Sequence, residues 1–116
     1  MKLRIIGLNH HNASLDYREK LAFSREEIES CLKDLIASNK IREAVILSTC
    51  NRTEFYLNAS DEGEEYTKTW LKKYKNINKN TEDLLFSLEG EKAIIHLSRV
   101  ACGLDSMILG EPQILG

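Results

Sequence analysis

The sequence predicts an α+β fold: a β-α-β-β-α-β split βαβ (ferredoxin-like) antiparallel sheet with helices on one face, plus a C-terminal helical segment. Three observations lead there. Short apolar runs rich in β-branched residues alternate with longer segments whose apolar residues recur at helical spacing. Two of the short runs are separated only by a tight turn, the signature of an antiparallel hairpin. One of the longer segments opens with a capping box. At 116 residues the chain has the length of one domain and can bury a real core.

Leu3 to Leu8, with β-branched Ile5 and Ile6, reads as the first strand. His10 to Ser14 follows as a polar loop. Ser24-Arg25-Glu26-Glu27 is the capping box, and Ile28, Cys31, Leu32, Leu35 and Ile36 then mark one face of a helix over about 25 to 39. Cys31 lies within that stripe and belongs to the core. Glu43 to Thr49 reads as the second strand. Thr53 to Ala59 reads as the third, with Phe55 and Leu57 alternating against Glu54, Tyr56 and Asn58. The turn around Asn51-Arg52 joins them, with Cys50 at its tip. Asp61-Glu62-Gly63 breaks the chain. A second helix over 64–75 carries Tyr66, Trp70 and Tyr74 at four-residue intervals, and Lys68, Lys72, Lys73, Lys75 and Lys79 gather on or just after it. Such a run serves as a solvated face or as a phosphate contact.

Leu84 to Leu88 is the fourth strand. After Gly90 a third helix runs from Glu91 to Leu104, with Ile94, Leu97, Ala101 and Leu104 along its stripe and His96 beside it. Gly103 suits the end of that helix. Gly110-Glu111-Pro112 reads as a loop turning into another helix, with proline at its first position. A domain rarely closes as a helix opens, so the sequence is expected to be the front part of a longer protein.

Composition narrows the function. The net charge is −2, which gives no overall basic field for nucleic acid. No apolar run approaches the ~20 residues of a membrane span, and Met1 to Gly7 is too soon polar for a signal peptide. The three cysteines, Cys31, Cys50 and Cys102, stand far apart without a CxxC pair. That pattern predicts reduced thiols in the cytoplasm, with neither a disulfide framework nor a metal site. No GxGxxG or GxxxxGK[ST] phosphate loop occurs, so no cofactor-binding residue is expected within these 116.

Thr49-Cys50-Asn51-Arg52 is the most informative tetrapeptide. A cysteine at a strand end can expose its sulfur, and a guanidinium two residues on can stabilise a thiolate, the nucleophilic form. On the tetrapeptide alone the commoner reading is a small apolar residue finishing a core strand, since free cysteines are commonly buried. His96, beside an apolar stripe, is open to two readings as well: a hydrogen-bonded, half-buried residue or a catalyst.

Four blocks carry a family resemblance. Gly7 to His11, Arg18 to Phe23, Ser48 to Glu54 and His96 to Gly116 together resemble glutamyl-tRNA reductase, in order and spacing over nearly the whole chain. The resemblance is to the amino-terminal catalytic, glutamyl-tRNA-binding domain, over residues 1–116. Nicotinamide-binding and dimerisation domains would lie outside them. It implies an oxidoreductase that reduces glutamyl-tRNA(Glu) with NADPH to glutamate-1-semialdehyde, the first step of five-carbon tetrapyrrole (porphyrin) synthesis. Cys50 matches the nucleophile that takes the glutamyl group as a thioester, and His96 the catalytically important histidine. Arg52 matches the residue that grips the substrate carboxylate. Thr49 and Asn51 flank the nucleophile and match substrate-binding residues that orient substrate polar groups. Ser106, Glu111, Pro112 and Gln113 match a second substrate-binding segment. The resemblance further implies a homodimer and contact with glutamate-1-semialdehyde aminomutase. Two positions depart from the family pattern. Ser14-Leu15-Asp16 replaces an Ala-Pro-containing turn, and Cys102 stands where serine or alanine is commoner.

Two other readings compete with this one. The chain could be a non-catalytic RNA-binding α+β module using its lysine helix, but it lacks paired aromatics on a strand for base stacking. It could be an unrelated thiol hydrolase, for which Cys50 and His96 are the only support.

Overall fold

The computed structural model describes residues 2–9 and 13–110, with the backbone alone at Asn9 and over 104–110. Four strands form one sheet: β1 (Lys2–Asn9), β2 (Ile41–Ser48), β3 (Arg52–Ala59) and β4 (Phe86–Glu89). Their order is β2-β3-β1-β4, and every neighbouring pair is antiparallel. This is the expected split arrangement, in which β3 separates β1 from β2 and β1 separates β3 from β4.

One face of the sheet carries the main core. Ile6 and Leu8 of β1, Ile46 of β2, and Phe55 and Leu57 of β3 pack there. Against them lie Cys31 and Leu35 of helix α2 (Arg25–Ala37) and Leu71 of helix α3 (Asp61–Tyr74). Burying such side chains contributes on the order of 1.5–3 kcal/mol each. Phe23 closes this core near the hairpin, stacked on Tyr74 at 5.8 Å and edge-on to Phe55 at 5.6 Å. Its backbone amide donates to the Ser48 hydroxyl at 2.9 Å, tying the entry of α2 to the end of β2.

The capping box is present as the sequence implies. The Glu27 amide donates to Ser24 Oγ, and Glu27 Oε2 accepts from the Ser24 amide at 2.8 Å. Its other oxygen accepts from the Tyr74 hydroxyl at 2.7 Å, which joins the start of α2 to the end of α3. The Ser24 amide first, then the Tyr74 hydroxyl, hold the Glu27 carboxyl down at about 2. A depressed carboxyl stabilises the fold above its unfolded value, and that contribution is lost as pH falls toward 2. Glu27→Gln, which keeps the cap acceptor, is therefore expected to flatten the fall in stability between about pH 4.5 and 2, as read by urea unfolding at stepped pH.

Several boundaries depart from the sequence reading. A six-residue helix, α1 (Leu15–Lys20), lies in a stretch to which the sequence reading assigns no element; it is capped by Ser14 and buries none of its own residues. Helix α3 begins at Asp61, three residues earlier than expected. Ser60 caps it, Asp61, Glu62 and Glu64 suit its positive end, and Gly63 is buried within it. A Cβ on Gly63 would come within 2.3 Å of the Lys40 carbonyl oxygen, so this glycine is there for close approach and does not break the helix. A four-residue turn of helix, α4 (Thr81–Leu84), precedes β4, which starts two residues later than expected. Helix α5 (Glu91–Gly110) continues through Gly103, where the sequence suggests an end.

Helix α5 lies on the opposite face from α2 and α3. Ala93 packs there with Ile5 and Tyr56, flanked by Leu3, Leu47, Phe86 and Leu88. The sheet is thus covered on both faces at its β1–β4 side, and the interval between α5 and β3 becomes a second, smaller interior. No helix among the described residues is long and apolar enough to cross a membrane.

Candidate active site

The hairpin tip is built by Thr49. Its amide donates to the Arg52 carbonyl at 2.8 Å, and its hydroxyl accepts from the amides of Asn51 and Arg52, each at 3.2 Å. These bonds fold the tip tightly and leave Cys50 exposed at its apex. Thr49 therefore shapes the loop that carries the thiol. Cys31, by contrast, is 1 % exposed within the core, and burial pushes its thiol up. Cys102 is exposed on α5.

Arg52, Glu54 and Tyr56 alternate along β3, so all three side chains project to the face that α5 covers. Glu54 is completely buried. Its Oε1 accepts from the Tyr56 hydroxyl at 2.6 Å and lies 3.7 Å from Arg52 Nη1. Its Oε2 lies 2.7 Å from His96 Nε2. Burial, with the bond to Glu54, pushes the Tyr56 hydroxyl well above the ordinary tyrosine value, so it remains a donor. The His96 ring rests against Phe86, 5.5 Å between centroids.

Room for Glu54 comes from Gly7, its partner across β1 and β3. A Cβ at position 7 would sit 2.5 Å from the Thr53 carbonyl oxygen and 3.0 Å from both Cα and Cγ of Glu54. Only hydrogen fits there.

The structure thus brings Arg52 and His96, 44 residues apart in sequence, onto one carboxylate two strand positions from the hairpin tip. Cys50 and Asn51 are exposed at that same end of the sheet. Ser106 is on α5, ten residues past His96 and so about 15 Å further along the axis; its side chain lies outside the described residues. Glu111, Pro112 and Gln113 also lie outside them. The residue that sequence reasoning missed is Glu54. In the strand pattern it counts only as a polar position alternating with Phe55. The signal is the triplet Arg52, Glu54, Tyr56 on one face, set opposite a glycine once β1 is paired with β3.

Of the lysine run, Lys68 is paired with Glu64 and Glu65, and Lys75 donates to the Ala22 carbonyl while covering the Phe23 ring at 4.2 Å. These two serve the fold. A shallow apolar hollow lined by Glu29, Leu32, Lys33, Ile36 and Ala37 lies on α2, a helix that contributes nothing to the site. All neighbouring strands of the described sheet are antiparallel, and the glycines stand singly, where a dinucleotide cradle uses parallel strands and a glycine-rich turn.

Comparison with known proteins points the same way as the motifs. The family model for the amino-terminal domain of glutamyl-tRNA(Glu) reductase matches residues 6–116. A glutamyl-tRNA reductase of Shewanella sediminis is 50 % identical over 117 residues, covering all of this chain and 28 % of that protein. One from Shewanella baltica is 49 % identical over the same span. The solved glutamyl-tRNA reductase of Methanopyrus kandleri superimposes with a TM-score of 0.65 at 29 % identity, over 98 % of this chain and 25 % of that one. The chain therefore spans little more than a quarter of the relatives it matches.

Proposed function

We propose, from the premise that this chain belongs to the glutamyl-tRNA reductase family and carries its amino-terminal domain, that these residues perform the acyl-transfer half of that enzyme's reaction. The observation that carries the reading is the convergence of Arg52 and His96 on buried Glu54 at the base of the Cys50 hairpin. The Cys50 thiolate attacks the ester carbon of glutamyl-tRNA, the tRNA hydroxyl leaves, and the glutamyl group stays on sulfur as a thioester. Sulfur suits this step because it is strongly nucleophilic and yields an acyl group that remains reactive. Arg52, half-buried beside Glu54, presents a guanidinium able to hold the substrate carboxylate with two parallel bonds. Ser106, Glu111, Pro112 and Gln113 complete the glutamyl site from the far end of α5 and beyond. The reduction to glutamate-1-semialdehyde, the NADPH that supports it and homodimer formation belong to residues outside these 116, and the whole enzyme contacts the aminomutase. The whole enzyme works in the cytoplasm at the entry to tetrapyrrole synthesis.

The test incubates the 116-residue chain with radiolabelled glutamyl-tRNA and follows protein-bound label, free glutamate and aldehyde, with and without NADPH. Label on Cys50, slow release of glutamate and no aldehyde are expected. NADPH-dependent aldehyde from these residues alone would refute the division of labour, and absence of label would refute acyl transfer.

A further inference from the structure

A fully buried carboxylate is costly unless it is paired and hydrogen-bonded, and Glu54 has its two oxygens committed to different partners. The Tyr56 hydroxyl donates to Oε1 and Arg52 stands beside it. His96 meets Oε2 through Nε2. A carboxylate facing two other donors acts there as an acceptor, so Nε2 bears the hydrogen. In the neutral imidazole the lone pair is then on Nδ1, which no described residue engages.

We infer that Glu54 is a positioning residue for the acyl transfer proposed above: it fixes His96 in the Nε2–H tautomer, leaves Nδ1 as the free base, and anchors Arg52 on the same edge. The inference rests on that functional reading. Nδ1 takes the proton of the Cys50 thiol, and the thiolate so formed bonds the ester carbon. The tetrahedral adduct then breaks its bond to the ribose oxygen, which takes this proton from Nδ1 and leaves as the tRNA hydroxyl. Glu54 touches no substrate and keeps its bond to Nε2–H throughout. Orientation of a base by a buried carboxylate is the logic of catalytic triads, here with the two ring nitrogens exchanged.

The test uses the full-length enzyme labelled with 15N at histidine, with His96 assigned by the signals lost in His96→Asn. The wild type is expected to show a protonated, pyrrole-type Nε2 and a pyridine-type Nδ1. In Glu54→Gln the two groups beside Oε1 are donors, so the amide oxygen stays there and the NH2 meets Nε2. The tautomer should reverse. Single-turnover acylation should fall about 100-fold or more, while KM for glutamyl-tRNA changes less than about threefold. A structural role alone would reduce stability without exchanging the two nitrogen signals. An Nδ1–H tautomer in the wild type overturns the inference, as does wild-type acylation by Glu54→Gln. Should that variant fail to fold, the wild-type tautomer still decides, and Tyr56→Phe is expected to retain it. An enzyme with the Nε2–H pattern that forms no thioester overturns the functional reading and leaves the pairing intact.

Discussion

Cys50→Ser in the full-length enzyme is expected to lower glutamyl transfer from tRNA by about a thousandfold or more, because a neutral hydroxyl is a far weaker nucleophile than a thiolate. Quenched-flow trapping of labelled protein measures it. The fold should be indifferent, with unfolding free energy within about 0.5 kcal/mol of wild type, since Cys50 is exposed at the hairpin apex. Cys31→Ser provides the contrast. It places a hydroxyl on the buried face of α2, inside the main core, costing about 1 kcal/mol or more, and leaves the transfer rate alone. A wild-type rate in Cys50→Ser would remove the nucleophile from the scheme.

Gly7→Ala is expected to destabilise the domain by about 3 kcal/mol and to impair catalysis with it. The added methyl meets the Thr53 carbonyl and the backbone of Glu54, neither of which can swing aside as a flexible side chain would. Relief requires separating β1 from β3, the central pair of the sheet, or expelling the Glu54 side chain from between Tyr56 and His96. Urea unfolding and transfer rate should fall together. A loss below about 0.5 kcal/mol would show that the strands part without cost. Gly103→Ala is the control, because a Cβ there meets nothing within 4 Å.

What was legible in the sequence depended on whether a signal was local. The capping box and apolar stripe of α2 are complete within fifteen residues, and the structure contains both. The hairpin and strand alternation were equally local, and with the order of elements they led to the sheet topology. α1 was missed because a short helix that buries none of its own side chains has no periodic stripe to read. Gly63 and Gly103 misled for one reason: glycine is a poor helix former, but one is demanded by the neighbouring Lys40 carbonyl and the other is carried by a long helix. Cys50, Arg52 and His96 stood out by chemistry and by their family motifs. Glu54 did not, because its importance arises from contacts at 42 residues' separation and from a glycine on another strand.

The division of the site between a tip and a strand sets how each half tolerates insertion and deletion. β3 is held on both sides, by β2 and by β1, so its frame does not depend on the length of the loop before it. Residues gained or lost among Thr49, Cys50 and Asn51 would move the thiol and leave Arg52, Glu54 and Tyr56 in place. A single residue gained or lost between Arg52 and Tyr56 would invert the alternation, sending a carboxylate into the helix-packed core and a phenylalanine toward His96. The thiol can therefore be re-aimed by evolution in small steps, whereas the carboxylate beneath it can be kept or lost but not shifted.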